Sequence, residues 1–322
     1  MRLLRRIIVS GSAAVLAGTI MLAGEAPLRG GPVPTAAAPV RAARPAPDRP
    51  SARFLADARI ALIRYLGHNH PQVMLVRRGT APHGGTAPRR GTAPHGGVAP
   101  GGPEVGTSRL ASYNWSGYAD VSATNQTFTE VSGRWRTPRV VCSAEDTITS
   151  EWVGLDGFSS GTVEQAGTVG WCFRGTPTYF TWYEMYPAGT VEVGTSLRPG
   201  DKITATVSRR GTSYTLALTD STRPANSFSV TKTCALTACL DTSAEWVAER
   251  PSFRIGIAPL ADYSSWTVYG ATETASGSAG TISGYPTNYK INMMDATGNY
   301  QLSTTSSLVG GKSFATYWLN SY

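Results

Sequence analysis

Four strand-like segments concentrate acids, amides and aromatic residues in the second half of the chain. They are Glu151–Gly157, Val163–Gly167, Thr181–Pro187 and Ser243–Glu249. If one face of each segment meets the others, the groups gathered there are Gln165, one aspartate and two or three glutamates beside tryptophans. A carboxylate can act as a general base in hydrolysis, and an amide can stabilise an oxyanion. The segments therefore have the groups that a hydrolytic site needs.

Side chains alternate between the two faces of a strand, so each segment contributes every second residue to one face. The four sets that would share a face are Trp152, Gly154 and Asp156; Val163, Gln165 and Gly167; Trp182, Glu184 and Tyr186; and Glu245, Val247 and Glu249. Each segment alone equally fits an ordinary strand whose polar face meets solvent. Only strands that lie side by side would form an aromatic-walled groove with a polar floor.

The positions of the histidines exclude several kinds of catalysis. All four, His68, His70, His83 and His95, precede these segments. A domain built from the remainder has no imidazole, which excludes Ser–His–Asp and Cys–His catalysis. Zinc hydrolysis through an H-E-x-x-H helix is excluded for the same reason. What remains is chemistry by carboxylates, amides and hydroxyls, or no chemistry at all, and we expect no metal and no other cofactor.

The formal net charge of +8 is distributed unevenly along the chain. Residues 1–109 carry fifteen arginines and four acids, whereas residues 110–322 carry fourteen basic and seventeen acidic residues, a formal charge of −3. The basic character therefore belongs to the front of the chain. Nucleic acid, which the whole-chain charge would suggest, is not an expected partner.

The first residues have the pattern of an export signal. Arg2, Arg5 and Arg6 precede an apolar run from Ile7 to Leu22, which ends in small residues. This pattern is typical of a secretory signal peptide, and the run is too short for a membrane-spanning helix. We predict a signal over residues 1–26, an extracellular location, and no stable membrane association after the signal is cleaved.

Residues 27–107 have the composition of a pro region. Apolar residues recur at helical spacing over 51–67, which predicts an amphipathic helix. A repeated Gly-Thr-Ala-Pro pattern over 78–107 predicts a flexible, protease-accessible linker. We expect this arginine-rich region to inhibit its own domain by pairing with carboxylates such as Glu184, and to be removed after acidification.

The remaining residues, 108–322, predict one all-β domain. Ile203, Ala205 and Val207 alternate with polar residues, and the turn sequence Arg209–Thr212 leads into a second alternating run. Phe253–Ile257 alternates likewise and predicts another strand. We expect a monomeric, two-sheet antiparallel β-sandwich, a size that single all-β domains commonly reach.

All four cysteines, Cys142, Cys172, Cys234 and Cys239, lie in this domain. An even number in an exported chain predicts two disulfides. Of the three connectivities, we favour Cys142–Cys172 with Cys234–Cys239, because the second pair would close a small local loop. The spacing does not fit a zinc site.

Five short motifs together resemble a known family. Asn114–Tyr118, Trp152–Gly157, Gln165–Gly167, Trp182–Pro187 and Ala244–Glu249 resemble, in the same order, the motif set of the glutamic peptidases (eqolisins, peptidase family G1). The resemblance spans the chain from residue 113 to its end. It implies a lectin-like, concanavalin-like jelly-roll sandwich with the site on its concave face. It also implies a secreted acid endopeptidase that acts on proteins and peptides.

The resemblance assigns the catalytic glutamine to Gln165 and the catalytic glutamate to Glu249 rather than Glu245. Glu249 would activate a water and then protonate the leaving amine, while Gln165 would stabilise the oxyanion and orient the water. In one departure, Val169 stands where the fungal pattern has an aspartate, which affects the expected pH optimum. Supporting positions match Trp115, Trp152, Asp156 and Glu184.

Two other functions fit the same residues. A secreted carbohydrate-binding sandwich would use Trp152, Trp182 and Trp246 as stacking platforms. A glycoside hydrolase would use Glu184 and Glu249 as its carboxylate pair.

Overall fold

The computed structural model describes residues 75–76, 107–253 and 256–322. Within them the strands are β1 (Leu75–Val76), β2 (Thr107–Ser112), β3 (Trp115–Val121), β4 (Phe128–Arg136), β5 (Thr147–Leu155), β6 (Val163–Phe173), β7 (Thr176–Tyr186), β8 (Val191–Glu192), β9 (Lys202–Arg210) and β10 (Ser213–Asp220). They continue with β11 (Phe228–Thr233), β12 (Ser243–Glu249), β13 (Ser252–Phe253), β14 (Gly256–Ile257), β15 (Ser265–Ala275), β16 (Ser278–Gly280), β17 (Asn288–Met294), β18 (Gln301–Thr305) and β19 (Phe314–Trp318). Helical turns in these residues are limited to two 3-10 turns, Pro224–Asn226 and Ile282–Gly284.

The strands form two large sheets that share one strand. The first, here the site sheet, runs β8-β7-β6-β5-β12-β3-β17-β2-β1, and β18 and β19 extend it from β17. The second, here the back sheet, runs β11-β10-β9-β4-β15-β16. Residues 265–268 of β15 pair with β19, whereas residues 269–275 pair with β4, so β15 joins the two sheets. Their pairings are antiparallel except that of β17 with β2.

The main core lies between the two sheets. The back sheet contributes the alternating residues of β9 and β10 that the sequence predicted, and the site sheet contributes Val153, Ala166 and Trp246. Trp246 Nε1 donates to the Ser132 carbonyl at 2.8 Å, a contact between β12 and β4. Burying this apolar surface is the main term that stabilises the fold. The all-β, two-sheet prediction is confirmed.

One predicted strand is wrong. The alternation over residues 253–257 predicted a continuous strand, but β13 and β14 pair with each other, with Ser252 opposite Ile257 and Phe253 opposite Gly256. The chain therefore reverses within this run. Gly256 has a φ of +133°, which glycine adopts readily and other residues rarely do, so the alternation was accidental.

Both disulfides form. Cys142 bonds to Cys172 and joins the segment before β5 to the end of β6. Cys234 bonds to Cys239 and closes the loop between β11 and β12. This connectivity is the one favoured from the spacing of the cysteines.

The predicted signal, the helix over 51–67 and the linker up to residue 106 lie outside the described residues. Between the predicted helix and linker, Leu75 and Val76 pair antiparallel with Ser112 and Ala111 of β2. None of the helices in the described part of the chain is long and apolar enough to cross a membrane.

Candidate active site

The four polar segments become β5, β6, β7 and β12, which are neighbours in the site sheet. Their register places Glu245, Gly154, Gln165 and Glu184 in one row across the four strands. A second apolar cluster covers the face of these strands that turns away from the main core. It includes Trp115, Trp152, Val163, Trp182 and Val247. The predicted faces therefore meet on one side of one sheet.

The Gln165 side chain has a defined orientation. Its Nε2 donates to Glu184 Oε2 at 2.6 Å, and Thr190 Oγ1 donates to Glu184 Oε1 at 2.7 Å. Because a carboxylate only accepts hydrogen bonds, the amide nitrogen must face Glu184. The Gln165 Oε1 atom is buried and has no hydrogen-bond partner among the described residues. One amide hydrogen and this oxygen remain for a water or a substrate.

Glu249 is 2% exposed and accepts two hydrogen bonds from neutral donors. Asn114 Nδ2 lies 3.2 Å from Oε1, and Trp152 Nε1 lies 2.8 Å from Oε2. Asn114 is itself oriented by Ser112 Oγ, which donates to Asn114 Oδ1 at 3.1 Å. Hydrogen bonds donated to a carboxylate favour its ionised form, which is the form that a general base requires.

The indole of Trp152 extends from Gln165 to Glu249. A Cβ atom on Gly154 would lie 2.9 Å from Trp152 Cζ3 and 3.3 Å from Gln165 Cβ. Glycine at this position therefore leaves space for the indole beside Gln165, while Nε1 at the other end of the ring contacts Glu249. Trp115 packs edge-on against Trp152 with 5.0 Å between the ring centroids, which fixes the position of the indole.

Gln165 and Glu249 are offset along the sheet. They lie on β6 and β12, which are separated by β5, and Glu249 aligns with Ser150 and Val169, four residues along the strands from the row of Gln165. Val169 is buried in the apolar cluster of this face. Val169, which stands where the fungal pattern has an aspartate, therefore contributes an apolar side chain to the row of Glu249.

Glu245 shares its strand and face with Glu249 but has a different environment. Its side chain is fully buried. Burial raises the pKa of Glu245 well above its ordinary value of 4.5, and the nearby charges of Asp156 and Glu164 raise it further. Glu245 is therefore protonated in acid and cannot act as a base there.

Asp156 lies just beyond the end of β5 and has a φ of +66°, which interrupts the alternation that grouped it with Trp152. Its carboxylate accepts hydrogen bonds from the backbone N–H groups of Asp241 at 2.7 Å and Thr242 at 2.9 Å. Asp156 therefore ties the turn after β5 to the residues that lead into β12. In this way it supports the strand that carries Glu249.

Three buried carboxylates, Asp156, Glu164 and Asp241, have oxygen atoms within 4.8 Å of one another, an arrangement that could hold a metal ion. However, Asp241 already forms an ion pair with Arg209 at 2.8 Å and accepts a hydrogen bond from Tyr214. Protein groups therefore satisfy much of this cluster, and we assign it no metal.

Some roles were missed from the sequence, and one predicted role is wrong. Asn114 lies in a recognised motif, but nothing in the sequence linked it to Glu249, and no signal marked Thr190. Trp246 lies in the core between the sheets, so its predicted role as a sugar-stacking platform is wrong. The carboxylate of Glu184 is bonded to Gln165 and Thr190, which suits it for orienting the amide.

The domain after residue 112 resembles known proteins in sequence and in fold. A model of the Peptidase A4 family matches residues 113–318. Aspergillopepsin-2 of Aspergillus niger is 29% identical over 149 residues, which are 45% of this chain and 52% of that protein. The chain thus spans about half the length of this curated relative.

Two solved structures have a similar fold. Scytalido-glutamic peptidase, crystallised with a peptide based transition state analog, has a TM-score of 0.53 and 21% identity, covering 64% of this chain and 98% of that one. SCP-B, a member of the Eqolisin family in a complex with the tripeptide Ala-Ile-His, has a TM-score of 0.51 and 19% identity over the same shares of the two chains.

Proposed function

The chain belongs to the Peptidase A4 family, and from this premise we propose that it is a glutamic endopeptidase that hydrolyses peptide bonds with Gln165 and Glu249. The observation that carries the proposal is the pair of hydrogen bonds that hold the Glu249 carboxylate, from Asn114 and Trp152. They prepare a base on the same sheet face as an amide oriented by Glu184. Relatives that are named as peptidases support the reaction class.

In the proposed reaction, ionised Glu249 takes a proton from a water molecule while the water oxygen attacks the scissile carbonyl carbon. The free amide hydrogen of Gln165 donates to the oxygen that becomes negative, and Gln165 Oε1 accepts from the water. Glu249 then returns the proton to the leaving nitrogen as the C–N bond breaks. The cycle restores both side chains and needs no metal or other cofactor.

We further propose that the protein is a secreted monomer that works in acid. Two disulfides and the pattern of residues 1–26 support secretion. The mechanism needs only a carboxylate that stays ionised in acid, and the donors to Glu249 favour that state. Proteins and peptides are the proposed substrates, and nucleic acid is not a proposed partner.

Residues 27–107 are the proposed intramolecular inhibitor. The pairing of Leu75 with Ser112 supports this, because Ser112 Oγ orients Asn114 and Asn114 contacts Glu249. The strand β1 thus pairs with a residue that is linked to the proposed base by two hydrogen bonds, from Ser112 to Asn114 and from Asn114 to Glu249. Acidification would weaken pairing between arginines and carboxylates and permit cleavage between residues 78 and 109.

The test is proteolysis of a denatured protein by the purified, matured chain between pH 2 and pH 7. We expect Glu249→Gln and Gln165→Ala each to lower kcat/KM at least ~100-fold, since each removes a group that acts in the transition state. Glu245→Gln is the matched control, because it makes the same change on the same strand face. It should retain activity within about fivefold.

Wild-type turnover by folded Glu249→Gln would refute the proposed base. Equal damage by Glu245→Gln would show that the wrong glutamate has been assigned. For the inhibitor, we expect the full chain to be latent at neutral pH and to shorten in acid, as followed by mass. Full activity of the uncut chain at neutral pH would contradict the proposed latency.

A further inference from the structure

A groove of about 580 Å³ lies on the outer face of the back sheet. Trp135 of β4 and Ile203 of β9 point from this sheet into the main core. Their neighbours along each strand must therefore point away from the core, on the side opposite the site sheet. The outward side chains that line the groove are Arg134, Arg136, Lys202, Thr204, Ser221 and Tyr269.

The register brings like charges together in this groove. Arg136 lies directly opposite Lys202, while Arg134 lies between Thr204 on one side and Tyr269 on the other. Cβ atoms of directly opposed residues are ~5 Å apart, and like charges at that separation destabilise a strand pair. An anion between or above the side chains of Arg136 and Lys202 would offset their repulsion.

Carboxylates of the described residues do not neutralise this cluster. Among these residues no ion pair involves Arg134, Arg136 or Lys202, and Arg136 Nη1 donates only to the Gly200 carbonyl. The nearest acid in sequence, Asp201, forms an ion pair with Arg223. Since residues 110–322 carry a formal charge of −3, this concentration of cations is not a general property of the domain.

We propose that the groove is a binding site for an oxyanion, a phosphate or sulfate group. Guanidinium groups bind such oxyanions through paired N–H donors, and the hydroxyls of Thr204 and Ser221 can donate as well. Phosphate and sulfate groups keep at least one negative charge in acid, because only the second proton of a phosphate group dissociates at about pH 6. The site uses neither Gln165 nor Glu249, so it is independent of the proposed catalytic activity.

The test is calorimetric titration of the full chain with inorganic tripolyphosphate and, separately, inorganic sulfate, at low ionic strength and pH 7, where we expect the chain to stay uncut. The groove variant is Arg136→Gln/Lys202→Gln. The matched control is Arg210→Gln/Lys312→Gln, which removes two exposed cations outside the groove. Residues 1–109, with their fifteen arginines, are the same in all three proteins, so their binding cancels in the comparison.

We expect at least ~10-fold weaker binding in the groove variant and an unchanged dissociation constant in the control. The anion should raise the melting temperature of the wild type and the control but not that of the groove variant. Without anion, the groove variant should melt no lower than wild type, because a repulsive pair has been removed. Equal binding by wild type and groove variant, or equal losses in variant and control, would refute the site.

Discussion

Glu245 and Glu249 are the same residue type on the same face of one strand, yet their surroundings suit them to different roles. Two N–H donors stabilise the carboxylate of Glu249, whereas desolvation raises the pKa of Glu245. A buried carboxyl that stays protonated can pack as a neutral group but cannot remove a proton from water. The donors of Asn114 and Trp152 therefore distinguish the two residues.

Trp152→Phe tests this distinction. The substitution keeps an aromatic ring but removes the N–H that donates to Glu249 at 2.8 Å. Hydrogen bonds to charged groups contribute ~1.5–3 kcal/mol, so we expect kcat/KM to fall ~10- to 100-fold. The acid limb of the pH profile should move to higher pH, because the Glu249 carboxylate loses a donor that stabilises it and is therefore protonated more easily.

Trp115→Phe is the control for this measurement. Trp115 packs edge-on against the same indole, but it has no hydrogen bond to Glu249 in the structure. The variant should therefore keep the acid limb where wild type has it. If both variants shift the limb equally, Trp152 acts through packing alone and not through its N–H.

At the scale of the strands, the close approach of β5 and β6 depends on one glycine. A Cβ atom on Gly167 would lie 2.3 Å from the Glu151 carbonyl oxygen and 2.6 Å from Trp152 Cβ. Both neighbours belong to β5, whose other side pairs with β12, so β5 cannot easily move away. A side chain at this position would therefore disturb the pairing that positions Trp152.

We expect Gly167→Ala to lower the free energy of unfolding by about 3 kcal/mol or more, the upper range for overpacking. Denaturant unfolding measures the loss. Gly284→Ala is the control, because its added Cβ would meet only Thr281 Oγ1, at 3.5 Å. It should change stability by less than ~1 kcal/mol. Similar stabilities for the two variants would mean that β5 and β6 can move apart to accommodate the added Cβ atom without a large loss of stability.

At the scale of the whole molecule, the fold buries many carboxyl groups. Burial raises the pKa of Glu151 from 4.5 to about 8, and those of Asp241 and Glu273 to about 7. The pKa values of Asp120 and Glu164 are also raised, mainly by desolvation. Each group binds its proton more tightly in the folded than in the unfolded protein. Their contribution to stability is therefore complete below the unfolded values near pH 4 and is lost as pH rises through the folded values.

We expect the free energy of unfolding to fall between pH 4 and pH 8. Glu151 alone should account for about 4 kcal/mol of this loss, since one pKa unit corresponds to ~1.4 kcal/mol. Glu151→Gln has a similar shape and stays neutral, so the variant should be more stable than wild type at pH 8. Denaturant unfolding at several pH values measures the difference.

Glu130→Gln provides the control, because it makes the same change at an exposed side chain. If the free energy of unfolding of Glu151→Gln depends on pH as that of wild type does, burial of Glu151 is not a cause of instability at neutral pH. The expected decrease in stability from pH 4 to pH 8 would suit a protein that works in acid, as proposed here.

The sequence alone determined the fold class, because the period-2 alternation in β9 and β10 leaves one apolar face to be covered, and residues 108–322 show no helical pattern that could cover it. Alternation also grouped Gln165 and Glu249 with the tryptophans. It failed where backbone geometry departs from a strand, as at Asp156 and Gly256, since a left-handed φ changes the direction of the next side chain. Local periodicity carries no information about such a change.

The tertiary structure alone decided which of the two buried glutamates meets the donors of Asn114 and Trp152. Glu249 depends on Asn114, which is 135 residues away in sequence, and Gln165 depends on Thr190 through Glu184. The alignment of Arg136 with Lys202 likewise follows from the register of β4 with β9. Register and burial arise from pairing between distant segments, so the spacing of residues within one segment cannot specify them.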